Sequence, residues 1–165
     1  MYKILFIGIG KMGFPMAGFL SEKYEVSVYN RSKEKISIWK KKYGGNAVDN
    51  LNQLDEKFDF IISCIGNDDD LREITSNDTG CFNIIRKNTI FIDHSTVSPK
   101  IVQELELKFR EKEAFFLDAP ISGGQLGAEK GQLSIMVGGD KNAFDKSESI
   151  FEVYGKKIKY MGSSG

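Results

Sequence analysis

Short runs of apolar, largely β-branched residues alternate along this sequence with segments whose apolar residues recur at helical spacing. The run Phe60–Ile65 is apolar almost throughout, which is typical of a strand buried on both faces of a sheet. The predicted strands are Tyr2–Ile7, Glu25–Tyr29, Phe58–Ile65, Thr89–Ile92, Ala114–Leu117, Leu133–Val137 and Lys157–Tyr160. Alternation of this kind predicts a doubly wound α/β fold, with a mostly parallel sheet and helices on both faces.

Helix-starting residues stand between several of these runs. Ser98 is placed to cap a helix whose first position is Pro99, a residue that suits the first turn. Asp140 similarly precedes a helix that carries Phe144 and Phe151. We expect the apolar stripes of these helices to pack in the core, and ligands to bind at the carboxyl ends of the strands.

Composition excludes several functional classes. The chain has 165 residues, enough for one domain, and 23 Lys and Arg balance 23 Asp and Glu, which argues against a globally basic nucleic-acid binder. No apolar run approaches the ~20 residues of a membrane span, and the N-terminal run lacks a signal-peptide cleavage pattern. Two cysteines, Cys64 and Cys81, do not form a disulfide framework. We therefore expect a cytoplasmic protein that binds neither membranes nor nucleic acid.

A glycine-rich turn follows the first predicted strand and fits the pattern G-x-G-x-x-G. The first glycine permits the tight turn, the second admits a diphosphate close to the backbone, and the third lets the helix pack closely on the strand. Free N–H groups at the helix start then favour the anion. The expected dinucleotide-binding residues of this turn are Gly8, Ile9, Gly10, Lys11, Met12 and Gly13. The alternative is a structural turn that binds no ligand. The motif, in this context, makes the expected sheet a Rossmann-type sheet.

The end of the second strand bears on the choice of dinucleotide. NAD sites usually carry an acid here, about 20 residues past the glycines, for the ribose 2′-hydroxyl. This sequence has Arg31 instead, which would attract a 2′-phosphate and so predicts NADP(H). Asn30 and Ser32 can add neutral hydrogen bonds, and Lys35 lies one turn further along. NAD stays possible, because Arg31 could instead only stack on the adenine.

The sequence as a whole resembles the β-hydroxyacid dehydrogenase family, which includes 3-hydroxyisobutyrate dehydrogenase and the tartronate, glyoxylate and succinic semialdehyde reductases. The resemblance runs through Gly8–Gly13, Asn30–Ser32, Asp93–Pro99, Asp118–Gly131 and Ser134–Asp140. The stretch Asp118–Gly131 is similar to the substrate-binding signature of the family. The 6-phosphogluconate dehydrogenases share the Asn-Arg element but differ in the later motifs. The resemblance implies that residues 1–165 form an NAD(P)-binding Rossmann domain.

Further site residues are implied by this resemblance. Ile65, Gly66 and Asp70 would line the adenosine and nicotinamide-ribose side of the cofactor, and Thr96 would contact the nicotinamide ribose. The segment Ser122–Gly124 (Ser122, Gly123 and Gly124) would hold the carboxylate and hydroxyl of a small hydroxyacid or semialdehyde substrate. Family members commonly have proline at the position of Gly66, so we expect a softer loop here.

The acid–base group of the family is a lysine, which the resemblance places a few residues beyond Gly165, followed by an all-helical domain that supports homo-oligomers. Within the chain, we expect His94 to be a packing or surface residue and the lysines of the last strand to be solvated. The acidic run Asp68–Asp70 suits a helix start and lacks the further ligands that a metal needs.

Three hypotheses remain at this point. The first is the cofactor domain of an NADP(H)-dependent hydroxyacid dehydrogenase or semialdehyde reductase. The second is a non-catalytic dinucleotide-binding module that lacks the acid–base lysine. The third is a structural scaffold that binds no nucleotide, which the glycines and Arg31 disfavour.

Overall fold

All seven strands predicted from the apolar runs form in the computed structural model, which describes residues 1–165. The nine strands are β1 (Lys3–Ile7), β2 (Glu25–Tyr29), β3 (Asn46–Ala47), β4 (Phe60–Ser63), β5 (Ile90–Asp93), β6 (Phe115–Asp118), β7 (Ile121–Ser122), β8 (Leu133–Gly138) and β9 (Gly155–Gly162). The six α-helices are α1 (Gly13–Ser21), α2 (Lys33–Tyr43), α3 (Asp68–Ile74), α4 (Pro99–Arg110), α5 (Gly124–Glu129) and α6 (Lys141–Phe151).

The strands form one sheet with the order β3-β2-β1-β4-β5-β6-β8-β7, and β9 pairs with β8. The first six strands are mutually parallel, in the 3-2-1-4-5-6 order of dinucleotide-binding sheets. Strand β8 runs antiparallel to β6 and β7, and β9 returns parallel to β8. The predicted Rossmann-type, mostly parallel α/β fold is therefore confirmed. The order reverses between β1 and β4, which makes their carboxyl ends the topological switch point.

Alternate residues of the strands supply two cores on opposite faces of the sheet. In β1, Ile4 and Phe6 join a cluster completed by α1, α2, α5 and α6. Leu5 and Ile7 point to the other face and join a cluster with α3 and α4. Because successive side chains of a strand point to opposite faces, a continuous apolar run fills both cores. The helices therefore lie on both faces of the sheet.

Side-chain caps start four of the six helices. Ser98 accepts a hydrogen bond from the N–H of Ile101 at the start of α4, and Asp140 accepts one from Ala143 at the start of α6. Ser32 and Asn67 do the same for α2 and α3. Helices α1 and α5 begin without a side-chain cap.

Three short elements have no counterpart among the predictions: β3, β7 and α5. Each is between two and six residues long, too short for a periodic apolar pattern. No helix combines the length and apolar character needed to cross a membrane. No cluster of three or more His, Cys, Asp or Glu side chains is arranged to hold a metal ion.

Candidate dinucleotide site

A pocket of about 270 Å³ opens at the switch point of the sheet. It lies over the carboxyl ends of β1, β2 and β4 and is closed on one side by α3. Seven residues predicted as cofactor ligands line it: Gly8, Gly10, Asn30, Arg31, Ile65, Gly66 and Asp70. The remaining lining residues are Ile7, Tyr29, Cys64, Glu73 and Ile74. Glu73 and Ile74 lie in α3, and no local motif marks them in the sequence.

The structure accounts for glycine at each of the three positions of the turn in a different way. Gly8 has a φ of 93°, and a Cβ there would lie 2.4 Å from the carbonyl oxygen of Cys64. A Cβ on Gly13 would lie 2.0 Å from the carbonyl oxygen of Gly8, so this glycine lets α1 pack on the turn. A Cβ on Gly10 would meet nothing within 4 Å. The fold therefore requires glycine at 8 and 13, whereas at 10 glycine only leaves space in front of the backbone.

The same turn leaves hydrogen-bond donors free. The N–H groups of Gly10, Lys11 and Met12 have no partner, and α1 has no side-chain cap. The turn is also basic through Lys11 and contains no acid. Unpaired donors at a helix start, where the helix dipole is positive, suit an anion. The open space at Gly10 and these donors together fit the diphosphate of a dinucleotide.

Asn30 holds this turn in place. Its Oδ1 accepts a hydrogen bond from the N–H of Ile9 at 3.1 Å, and its Nδ2 donates to the carbonyl of Ser32 at 3.3 Å. The hydroxyl of Ser32 caps α2 by accepting from the N–H of Lys35. The two polar side chains flanking Arg31 are therefore engaged in building the site, and Arg31 alone projects from this segment with its charge exposed.

Arg31 has a partner that sequence reasoning did not find. Its Nη2 lies 3.0 Å from Oδ1 of Asp70, which comes from the first turn of α3. The pair bridges the end of β2 and α3 across the pocket that both residues line. No acid stands directly at the end of β2 in the sequence, yet the fold supplies a carboxylate beside Arg31 from a distant element.

Lys35 and Lys11 lie in a second groove, on the other side of Gly10. Two polar residues of α5, Gln125 and Glu129, line the same groove. Gln125 donates to Glu129 at 2.8 Å. The structure therefore brings Lys35 near the turn but not into the pocket that contains Arg31.

The loop after β5 is fastened to the loop after β4. The hydroxyl of Ser95 donates to Oδ1 of Asp93 at 2.6 Å and accepts from the N–H of Ile65 at 3.0 Å. Ser98 donates to Asp68 through both its N–H and its hydroxyl, which lowers the pKa of that carboxyl. Thr96 lies exposed between these two links. The predicted ribose contact is thus accessible on a loop whose ends are fixed.

Asp93 is buried at the end of β5. Oδ1 accepts from Ser63 and from Ser95, whereas Oδ2 is buried without a partner. Burial raises the pKa of Asp93, and the hydrogen bonds from the two serines oppose that rise. Burial also raises the pKa of Asp118, its neighbour in register at the end of β6. These carboxyls belong to the framework below the site.

The single histidine is also part of the framework. His94 is buried, its Nδ1 lies 2.6 Å from the carbonyl of Ala119, and its Nε2 lies 2.7 Å from the hydroxyl of Tyr154. Because a carbonyl only accepts, Nδ1 carries the proton and Tyr154 donates to Nε2. Burial lowers the pKa of His94 to about 4. Of the two placements predicted for this histidine, packing or surface, the structure shows packing.

The segment Ser122–Gly124 follows β6 at the same edge of the sheet and is exposed. Gly123 and Gly124 have φ values of 133° and 61°, in the region that favours glycine. Helix α5, which begins at Gly124, packs against α1. The exposed segment therefore leads into a helix that contacts the helix of the dinucleotide turn.

The cysteine in the pocket is not a reactive thiol. Burial raises the pKa of Cys64 to about 12, and the neighbouring charge of Asp93 adds to the effect. Cys64 and Cys81 are both free. The lysines of β9, Lys156, Lys157 and Lys159, are solvent-exposed, as expected.

Comparisons with known proteins agree with this geometry. The profile of the family described as the NAD binding domain of 6-phosphogluconate dehydrogenase matches residues 3–162. The 2-hydroxy-3-oxopropionate reductase of Escherichia coli (strain K12) is 32% identical over 167 residues, covering 99% of this chain and 56% of its own length. The chain spans about half the length of the curated relatives it matches.

Two solved structures are also similar. The Mycobacterium tuberculosis 3-hydroxyisobutyrate dehydrogenase, solved with L-serine, has a TM-score of 0.90 and 27% identity, covering 99% of this chain and 55% of its own. Psf3, solved with NADP+ and 2-OPP, has a TM-score of 0.90 and 26% identity, and the match covers 98% of this chain and 57% of the Psf3 chain. The chain therefore belongs to the family described as the NAD binding domain of 6-phosphogluconate dehydrogenase, and the proteins it is similar to include a hydroxyacid dehydrogenase and a hydroxy-oxo acid reductase.

Proposed function

We propose that this chain is the NADP(H)-binding domain of a dehydrogenase or reductase that interconverts a small 3-hydroxyacid and its semialdehyde. The observation that carries the proposal is the turn at residues 8–13, whose unpaired donors at Gly10, Lys11 and Met12 adjoin the pocket containing Arg31. A similar structure is described in complex with NADP+, and a relative is named a reductase of a hydroxy-oxo acid, which supports the same assignment.

The roles of the residues follow from their placement. The free N–H groups of the turn bind the diphosphate, and Asn30 keeps the turn in the receptive conformation by holding Ile9. Arg31 pairs with the 2′-phosphate, because a guanidinium forms charge-assisted hydrogen bonds with phosphate. Ile65, Gly66 and Asp70 line the adenosine side. When bound, the cofactor supplies or accepts the hydride.

The substrate is held at the same edge of the sheet. The exposed segment Ser122–Gly124 binds the carboxylate and hydroxyl of the substrate through its hydroxyl and backbone N–H groups, and Thr96 orients the nicotinamide ribose. We assign the proton transfer to a lysine a few residues beyond Gly165, and the closing of the site to a following helical domain. We place this enzyme in the cytoplasm, a reducing environment that suits its two free cysteines. We also propose that it forms a homo-oligomer.

One observation favours a second candidate, a dinucleotide-binding module without catalysis of its own. Neither the single histidine nor the cysteine of the pocket can exchange a proton at neutral pH, since His94 is buried with a pKa of about 4 and Cys64 has a pKa of about 12. Residues 1–165 alone are therefore expected to bind without turnover. The two candidates differ in the residues that follow Gly165: a lysine there, with an asparagine four residues later, would favour the enzyme over the module.

Arg31→Ala tests the cofactor assignment. We expect the variant to bind NADPH about tenfold more weakly, because it loses a charge-assisted phosphate contact of about 1.5 kcal/mol, and NADH almost as tightly as before. Dissociation constants from isothermal titration calorimetry measure both. Lys33→Ala is the matched control, since Lys33 pairs with Asp49 outside the pocket. Equal dissociation constants for the two cofactors in the unmodified chain would contradict the assignment.

Turnover by the 165-residue chain is the second test. We expect no hydride transfer above background with small hydroxyacids or semialdehydes, measured as the absorbance of NADPH. Robust turnover would show that the acid–base group lies within these residues.

A further inference from the structure

We propose that Asp70 restrains the preference of this site for NADP(H), so that cofactor choice is set by the opposition of Arg31 and Asp70. The inference rests on the proposed function, because it concerns the same pocket. It goes beyond that function by assigning a specificity role to a residue of α3, on the opposite wall of the pocket from Arg31.

The two charges meet at the pocket mouth. Nη2 of Arg31 and Oδ1 of Asp70 are 3.0 Å apart, and both residues line the pocket. The side chain of Arg31 is 70% exposed, whereas that of Asp70 is 20% exposed. The guanidinium is therefore the free-moving member of the pair and the carboxylate is the enclosed one.

Asp70 is fixed by its neighbours. Its Oδ2 accepts from Nδ2 of Asn67 at 3.1 Å, and its backbone N–H donates to Oδ1 of Asn67 at 2.9 Å. A Cβ on Gly66 would lie 3.3 Å from the same Oδ2, so the backbone of the β4 loop passes close to the carboxylate. An exposed ion pair of this kind opens easily, but only Arg31 can leave it.

A 2′-phosphate and a 2′-hydroxyl therefore meet different conditions in this pocket. A phosphate drawn to Arg31 approaches the fixed carboxylate of Asp70, which repels it and competes for the guanidinium. A 2′-hydroxyl feels no repulsion and finds an acceptor of the type that NAD sites use. Asp70 thus takes the electrostatic role that an acid at the end of β2 plays in NAD sites, from another element.

Asp70→Asn tests the inference on the 165-residue chain. The amide keeps the shape and an acceptor for Asn67 and removes the charge. Asp69→Asn is the matched control, because Asp69 is the neighbouring residue of the same helix turn, is 97% exposed, pairs with Arg72 and lies outside the pocket. Dissociation constants for NADPH and NADH are measured by calorimetry for the unmodified chain and both variants, at low and high ionic strength.

We expect Asp70→Asn to bind NADPH about three- to fivefold more tightly than the unmodified chain, and NADH no more tightly. Interactions between charges at a protein surface contribute up to about 1 kcal/mol, which corresponds to that change in the dissociation constant. The gain should shrink when the ionic strength rises from about 0.05 M to about 0.5 M, since salt screens the repulsion. Asp69→Asn should leave both constants within about twofold.

Unchanged or weaker NADPH binding in Asp70→Asn would overturn the inference, as would an equal gain in Asp69→Asn. If the unmodified chain bound neither dinucleotide, both the proposed function and the role of Asp70 would be wrong. If it bound NADPH and Asp70→Asn left that binding unchanged, only the role of Asp70 would be wrong. Circular dichroism checks the fold of each variant, and Asp70→Ser, which also removes the charge, replaces Asp70→Asn should that variant not fold.

Discussion

Two turns of this molecule join a central strand to a helix at the same edge of the sheet, and their polar groups are used in opposite ways. The β1–α1 turn, residues 8–12, leaves three backbone donors free and starts its helix without a side-chain cap. The β5–α4 turn, residues 94–98, is tied down by side chains: His94 to Ala119 and Tyr154, Ser95 to Asp93 and the β4 loop, and Ser98 to Asp68 and α4.

The contrast indicates which of the two turns can bind a ligand and which one supports the structure. Donors left unpaired at a surface turn cost little in water and are available to an anion. Donors and acceptors paired inside the protein fix a loop and cannot also serve a ligand. The β5–α4 turn therefore contributes a rigid wall, with Thr96 as its accessible side chain, and the β1–α1 turn contributes the binding surface.

The largest test of this contrast is within the β1–α1 turn. Gly13→Ala should lower the free energy of unfolding by about 3 kcal/mol or more, because its Cβ would lie 2.0 Å from the carbonyl oxygen of Gly8. Gly10→Ala should change stability by less than about 1 kcal/mol, since nothing lies within 4 Å of that Cβ, yet it should weaken NADPH binding.

Urea unfolding and calorimetric titration of the two variants make the comparison. A stable Gly13→Ala variant would show that α1 can move away from the turn. Undiminished NADPH binding by Gly10→Ala would show that the diphosphate does not pass in front of that backbone.

A second test concerns the pH dependence of the β5–α4 turn. The folded-state pKa of His94, about 4, lies below its ordinary value of 6.5, so its neutral form stabilises the fold above pH 6.5 and that stability is lost as pH falls toward 4. The loss should total about 2–3 kcal/mol in urea unfolding. Asp93 and Asp118, whose pKa values are raised, contribute in the opposite sense, losing stability as pH rises.

His94→Gln isolates this contribution, because glutamine can still donate to Ala119. The variant should show a smaller fall in stability between pH 6.5 and 4 than the unmodified chain. If the two pH profiles ran parallel, the histidine would not be the group responsible.

The smallest expected effect is at the start of α4. Ser98→Ala removes the helix cap, which the hydroxyl accepts from Ile101, and the hydrogen bond that the hydroxyl donates to Asp68. It should lower the free energy of unfolding by about 1 kcal/mol. Its effect on the NADPH dissociation constant should be smaller than that of Arg31→Ala. An equal or larger effect on binding would mean that this turn is part of the binding surface after all.

Local patterns in the sequence are sufficient for most of the fold. Apolar runs such as Phe60–Ile65 predict the strands, and Ser98 with Pro99 predicts the start of α4, because strands and caps depend on neighbouring residues. The glycine turn is also predictable, since Gly8, Gly10 and Gly13 stand in a fixed local pattern directly after a strand.

Contacts between distant elements are what the sequence could not predict. No residue near Arg31 in the sequence indicates its contact with Asp70, and none near His94 indicates its contact with Tyr154. Both pairs form only when the folded sheet brings distant segments together. The two-residue strands β3 and β7 carry too little pattern to be seen, and the antiparallel direction of β8 depends on the path of the chain after β6.

The hydrogen bond from Ile9 to Asn30 has an evolutionary consequence. Oδ1 of Asn30 is the atom that holds Ile9, and an aspartate would present the same oxygen to Ile9 while giving up the hydrogen bond to Ser32 and adding a negative charge beside Arg31. Asparagine and aspartate codons differ by a single base. A lineage carrying this scaffold could thus exchange one dinucleotide for the other without passing through a sequence whose turn is unsupported.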